Sequence, residues 1–155
     1  LARANGPRIA MIETSGWDTH THQVARLALL LKGFDAMLAA MCDGLGQSWA
    51  KTTVLVATEF GRTAAENGSG GTDHGTAALA MLFGGAVKGG RIIADWPGLS
   101  PSALYENRDL KPTMALDALI AGAAGEGFSV HPQLVLRTVF KDGSKAKPIT
   151  GLIRT

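Results

Sequence analysis

The segment TTVLVATEFG, which runs from Thr52 to Gly61, decides the fold class. Its centre, Val54 to Ala57, is a continuous apolar run, which is typical of a strand covered on both faces. Upstream, RIAMIE predicts another short strand from Arg8 to Glu13, because turn-forming residues bound it on both sides. The sequence therefore predicts two strands of one sheet.

The residues between these strands predict a long amphipathic helix that begins near Thr21. Apolar residues recur there at steps of three and four. They are Val24, Leu27, Leu31, Phe34, Leu38 and Met41. Gly44 and Gly46 are expected to end the helix. The order strand, helix, strand predicts a right-handed crossover and a parallel sheet.

Downstream segments continue the α/β pattern. AENGSGGTDHG predicts a loop, ALAMLFGG (Ala78 to Gly85) a buried strand, and GGRIIADWPGL a short strand that runs into a turn. Two helices are predicted, one from Pro112 to Gly125, with its proline near the first turn, and one in HPQLVLRTVF. The tail, KDGSKAKPITGLIRT, is expected to be peripheral. We expect one α/β domain over residues 1–155. The chain does not begin with Met, so we also expect it to be the C-terminal part of a longer protein.

Composition excludes several function classes. Fifteen Lys and Arg against 13 Asp and Glu, without a basic block, do not predict a nucleic-acid partner. The single cysteine, Cys42, rules out an internal disulfide and disfavours a cysteine-based zinc site. No apolar run approaches the ~18 residues of a membrane span. The sequence does not indicate an oligomeric state.

Polar and titratable residues follow the first two predicted strands. The first strand is followed by Asp18, His20 and His22. The second is followed by Glu59, Arg62, Asn67, Asp73 and His74. Ligands collect at the carboxyl ends of strands in parallel sheets, so we expect the two groups to lie close together. Carboxylate oxygen and imidazole nitrogen suit divalent metals, which predicts a metal site with an open position.

Each of these residues also has an ordinary structural interpretation. Asp18 could N-cap the long helix, and the two following histidines could be solvated residues of its first turn. Glu59 could form a salt bridge with Arg62. The pair Asp73-His74 could belong to an ordinary turn. These alternatives would require all the groups to converge by coincidence.

Three blocks of the sequence resemble a known bacterial family. GWDTHTHQ, ATEFGRTAAENGSGGTDHG and FGGAVKGGRIIADWPGL are similar to the C-terminal part of domain of unknown function 1501. Members of that family are often described as sulfatase-like or as carrying a twin-arginine export signal, and the family resembles the alkaline phosphatase superfamily. The resemblance implies a three-layer α/β/α fold with a mostly parallel sheet. It also implies a periplasmic or exported location, with a cytoplasmic one as the alternative.

The resemblance leaves two choices of ligand open. The superfamily spacing Asp-x-x-x-His fits Asp18 and His22, whereas the family's own WDTH block contains His20. The superfamily's Asp-His-Gly matches Asp73-His74-Gly75 word for word. If the motif is instead aligned by its position after the strand, Glu59 takes the place of its Asp and Phe60 the place of its His. His74 then corresponds to the superfamily's later His. We slightly favour this second register, in which Phe60 cannot bind metal and a second metal site is weakened.

The function implied by the resemblance is metal-dependent hydrolysis of a small phosphate or sulfate ester. Zinc is the expected metal, with calcium, magnesium and manganese as alternatives. Arg62 is the expected catalytic residue, because its guanidinium can hydrogen bond an oxyanion. The superfamily's nucleophile is expected upstream of this chain, which alone should be inactive. The alternative is a non-catalytic binding or scaffold domain with a degenerate metal site.

Overall fold

The computed structural model of the protein describes residues 5–140 and 145–154. Helix α1 spans Gln23–Leu45 and is capped by Gly46, so the predicted helix and its end are confirmed. A 3-10 helix, Gly46–Lys51, follows at once. Along α1 no residue is fully buried. The aromatic contacts of α1 are made by Phe34, whose ring centroid lies 6.3 Å from that of Trp17 and 5.8 Å from that of Phe83.

The strands form two small antiparallel sheets. Strand β1 (Val54–Val56) pairs with β4 (Met81–Phe83), and β2 (Gly61–Arg62) pairs with β3 (His74–Gly75). The predicted strands at RIAMIE and in GGRIIADWPGL are wrong for the described residues, which have no strand there. Neither segment pairs with a strand within residues 5–140 and 145–154, and an unpaired apolar run makes no sheet.

The observed strand pairings contain no βαβ unit of the kind that the sequence predicts among the described residues. The crossover needs a first strand before α1, and none forms between residues 5 and 22. Both sheets within 5–140 and 145–154 are antiparallel, and no parallel pair occurs among those residues. The three-layer α/β/α arrangement therefore stays a prediction.

Two packed helices carry the most buried part of the chain. Helix α2 spans Leu116–Phe128, so it begins and ends later than the predicted 112–125 segment. Helix α3, Pro132–Val139, confirms the last predicted helix. Buried small residues line α2, and a Cβ at Gly122 would collide with the carbonyl oxygen of Ile149. This close approach lets the C-terminal segment pack on α2.

The C-terminal segment enters the core, so the prediction that it is peripheral is wrong for residues 149–154. Leu152 is 2% exposed, and Ile153 forms an antiparallel bridge with Val87. The Glu126 carboxylate accepts hydrogen bonds from the backbone N–H groups of Gly151, Leu152 and Ile153. A carboxylate on α2 thus fixes the segment in place. Residues 141–144 of the predicted tail lie outside the described residues.

Much apolar surface remains uncovered. The accessible surface is 10784 Å², whereas a compact monomer of 16.1 kDa is expected to expose about 7,400 Å². Val24 and Met11 are 87% and 90% exposed. Among the described helices, none is long and apolar enough to cross a bilayer.

Candidate metal centre

Two loops that are distant in sequence meet at the N-terminus of α1. The backbone N–H groups of His22 and Gln23 donate to the carbonyls of Ser69 and Gly70, at 3.2 and 2.7 Å. Loop carbonyls thereby satisfy N–H groups that a helix start leaves without partners. A Cβ at residue 71, a glycine, would collide with the backbone of His20. The Gly-rich loop therefore brings Asp73 and His74 to the segment that precedes the helix.

Three predicted ligands converge where the loops meet. The Nε2 atoms of His20 and His74 lie 3.0 and 2.8 Å from the same oxygen, Oδ1 of Asp18. The three ligand atoms all lie within 4.8 Å of one another, which suits a common metal ion. We call Asp18, His20 and His74 the ligand cluster.

Asp18 belongs to this cluster and does not cap the helix. The N-cap position of α1 is His22, whose backbone is left-handed (φ 48°) and whose side chain makes no capping hydrogen bond. The alternative in which Asp18 caps the helix is therefore wrong.

Arg62 holds the two loops together. It lies in β2 directly opposite His74 in the strand register. Its Nη2 donates to Asp18 at 2.7 Å and to the carbonyl of Trp17 at 3.0 Å. Its Nη1 donates to the carbonyl of Thr72 at 2.8 Å. Arg62 thus fixes the Asp18 carboxylate beside the hairpin of β2 and β3. The salt bridge of Arg62 is formed with Asp18 and not, as the ordinary structural interpretation proposed, with Glu59.

Asp73 contacts the cluster through His20. Its Oδ1 lies 3.1 Å from Nδ1 of His20, and it also accepts a hydrogen bond from Nδ2 of Asn67 at 3.0 Å. The bonds from Asn67, and then from His20, hold the pKa of the Asp73 carboxyl below its ordinary value. An ionised Asp73 favours a proton on Nδ1 of His20, which leaves the Nε2 lone pair directed at the cluster.

Asn67 is a supporting residue to which the sequence assigned no role. Its Nδ2 also donates to the carbonyl of His20 at 2.9 Å. Its Oδ1 accepts from the backbone N–H groups of Ser69 and Gly71 at 2.9 and 3.1 Å. One amide therefore shapes the Gly-rich loop and fixes both Asp73 and His20. The sequence signals for it were its place among the polar residues after the second predicted strand and its place in a Gly-rich loop.

The electrostatics of the cluster favour an ionised Asp18. The hydrogen bond from His74 lowers the pKa of its carboxyl most; burial opposes this, but the bond from Arg62 and the charges of the histidines add to the lowering, so the pKa lies below its ordinary value. The side chains of Asp18, His20 and His74 are 52%, 42% and 50% exposed, so a small solute can reach them.

Phe60 supports the ring of His74. The two rings stack with centroids 4.0 Å apart and planes 15° apart. The guanidinium carbon of Arg62 lies 5.0 Å from the centroid of the Phe60 ring. The residue that cannot bind metal therefore orients one that can.

Besides Asp73, two predicted ligands lie outside the cluster. His22 is exposed at the start of α1, and Glu59 is exposed beyond the end of β1. Neither belongs to the group of side chains among the described residues whose geometry could hold a metal ion. The geometry thus places His20 rather than His22 in the cluster, and it places Asp73 next to His20.

The sequence was also compared with known proteins. A family model described as "Protein of unknown function (DUF1501)" matches residues 1–139. No curated protein matches the chain, and no solved structure does. The resemblance to the alkaline phosphatase superfamily therefore stays a prediction. The matched residues include the whole ligand cluster together with Arg62, Asn67 and Asp73. The chain belongs to the DUF1501 family of proteins of unknown function.

Proposed function

We propose that Asp18, His20 and His74 bind one divalent metal ion, most suitably zinc, and that this centre serves the hydrolysis of a phosphate or sulfate ester. The convergence of two imidazole nitrogens on one carboxylate oxygen carries the proposal. Three protein ligands of these types with an open fourth position are typical of catalytic zinc. Calcium and magnesium prefer all-oxygen sites, so this donor set disfavours them.

The surrounding residues suit an anionic substrate. A divalent metal bound here would supply Lewis-acid stabilisation of charge on the transferred group. Arg62 forms an ion pair with Asp18 and adds a permanent positive charge beside the cluster. Asp73 holds the ring of His20, and Phe60 that of His74. The chain's own residues thus orient the ligands before any substrate arrives.

The proposal extends to the rest of the protein. It includes the three-layer α/β/α arrangement and an exported or periplasmic location. Both rest on the three sequence blocks that resemble the family.

Zinc titration of the chain, together with metal analysis, tests the site. We expect His20→Gln and His74→Gln each to weaken binding by more than the about 10- to 100-fold that loss of an orienting partner causes, because each removes a ligand. The matched control is His22→Gln, which changes an exposed histidine two residues away and should bind like the wild type. Equal losses in His20→Gln and His22→Gln would contradict the assignment. Iron in place of zinc would also overturn it, since two histidines and one carboxylate suit iron(II) as well.

A second experiment separates an ester hydrolase from a scaffold domain that only holds a metal. Inorganic phosphate and sulfate serve as probes, titrated into the zinc-loaded and the metal-free chain. We expect zinc-dependent binding of at least one of them, because an open metal position beside Arg62 attracts oxyanions. Anion binding that is absent, or the same with and without zinc, would favour the scaffold.

A further inference from the structure

We propose that Asp109 is a positioning residue for His74, acting through Thr76 and Arg108. Asp109 lies far along the chain from the ligand cluster, in a turn that no sequence motif marks. It is 5% exposed, which is rare for an aspartate. Its Oδ2 accepts a hydrogen bond from the hydroxyl of Thr76 at 2.7 Å. Thr76 is two residues after His74.

The turn that carries Asp109 is joined to the hairpin of β2 and β3 along its length. Asp109 forms an antiparallel bridge with Thr63, the residue after Arg62. The backbone N–H of Ala64 donates to the carbonyl of Arg108 at 3.0 Å. The Nη2 of Arg108 donates to the carbonyl of His74 itself at 3.3 Å. Strands β2 and β3, which carry Arg62 and His74, are therefore both attached to this turn.

The carboxylate is the centre of the attachment. Its Oδ1 accepts from Nε of Arg108 at 2.7 Å, so the ion pair and the Thr76 bond satisfy a buried charge. The hydrogen bond from Thr76, and then that from Arg108, lower the pKa of the Asp109 carboxyl. Asp109 is therefore ionised at neutral pH, where it keeps both partners in place.

The backbone of the turn also needs this support. Glu106 and Asn107 both have positive φ, at 52° and 57°. A glutamate in the left-handed region is uncommon, and such residues persist only where their surroundings hold them. Backbone hydrogen bonds between Tyr105 and Asp109 run in both directions at 3.0 Å and close the turn. The structure thus maintains a strained turn whose side chains reach the strand of His74.

A matched pair of variants at Thr76 tests the inference in the full chain. Thr76→Val keeps the side-chain shape and removes the hydroxyl, whereas Thr76→Ser keeps the hydroxyl. Thr138→Val, on the exposed face of α3, controls for loss of a hydroxyl elsewhere. Arg108→Lys keeps the charge but shortens the reach to His74, and it gives a second route if Thr76→Val folds poorly.

The first readout needs no metal. Nitrogen-15 NMR of the histidine rings reports the state of His74, with His131 at the start of α3 as an internal reference. We expect Thr76→Val and Arg108→Lys to shift the His74 ring signals and leave those of His131 unchanged. Thr76→Ser and Thr138→Val should match the wild type. Unchanged His74 signals in Thr76→Val and Arg108→Lys would overturn the inference.

The second readout, zinc affinity, rests on the proposed function. Loss of a residue that orients a ligand typically weakens binding about 10- to 100-fold. We expect a loss in that range for Thr76→Val and recovery in Thr76→Ser. Equal zinc affinities for Thr76→Val and the wild type would also overturn the inference. If the wild type itself binds no zinc, the metal proposal fails, and the NMR readout alone decides the role of Asp109.

Discussion

Replacing Asp73 with asparagine should weaken zinc binding although Asp73 is not one of the converging ligands. The carboxylate lies 3.1 Å from Nδ1 of His20 and is held by Asn67 at 3.0 Å. Asparagine can still accept the bond from His20, but it carries no charge to favour the proton on Nδ1. Loss of a residue that orients a metal ligand lowers metal affinity by about 10- to 100-fold. We therefore expect zinc affinity to fall about 10-fold in Asp73→Asn. It should fall nearer 100-fold in Asp73→Ala, which removes the hydrogen-bond acceptor for His20.

Glu59→Gln is the matched control. It also removes one carboxylate charge from an exposed residue that follows a strand, but Glu59 lies outside the ligand cluster. Because Glu59 is exposed, solvent weakens the effect of its charge on the cluster, so we expect its zinc affinity to stay close to that of the wild type. Competition with a chromophoric chelator at fixed ionic strength and pH measures all three variants.

This expectation reverses the register that the sequence slightly favours. With Glu59 as a ligand, Glu59→Gln would be the more damaging change. A larger loss in Glu59→Gln than in Asp73→Asn would therefore refute our reasoning and restore that register. Wild-type affinity in both Asp73 variants would show that His20 needs no orienting partner.

Three further changes test the supporting structure. Glu126→Gln should lower the free energy of unfolding in urea by about 1–3 kcal/mol at pH 7, because it weakens charge-assisted bonds to three backbone N–H groups. Burial raises the pKa of the Glu126 carboxyl, but these three hydrogen bonds outweigh burial, so the pKa lies below its ordinary value of 4.5. The difference in unfolding free energy between the wild type and Glu126→Gln should therefore be full above pH 4.5 and shrink as the pH falls below it. Gly71→Ala should destabilise the chain and weaken zinc binding together, since the added methyl collides with the backbone of His20; unaltered zinc affinity would contradict the loop geometry. Leu136→Ala, at a fully buried position on α3, should cost about 2–5 kcal/mol in thermal or urea unfolding while sparing the cluster.

Features set by neighbouring residues were predictable from the sequence. The spacing of apolar residues predicted α1, and Gly46 marked its end, because helix periodicity and capping are local properties. Helix α3 was also predicted, from the segment HPQLVLRTVF, and its proline occupies the first turn. The polar loops were also recognisable, since titratable residues crowd Asp18 to His22 and Asn67 to His74.

Strand pairing and the core were not predictable in this way. An apolar run does not specify its partner, and the sequence did not predict that β1 pairs with β4 in an antiparallel direction. The tail looked peripheral because it is polar on average. Leu152 and Ile153 nevertheless enter the core, where Glu126 supplies partners for their backbone N–H groups.

The identity of the ligands depends on contacts over long separations. His20 and His22 are indistinguishable by type and nearly so by position. They differ only because the backbone turns into the left-handed region at His22, which begins α1, while the Gly-rich loop packs against His20. His74 reaches Asp18 across 56 positions of sequence, and Asp73 reaches His20 across 53. Such contacts arise from the packing of whole loops, and local sequence patterns carry no information about which side chains that packing will bring together.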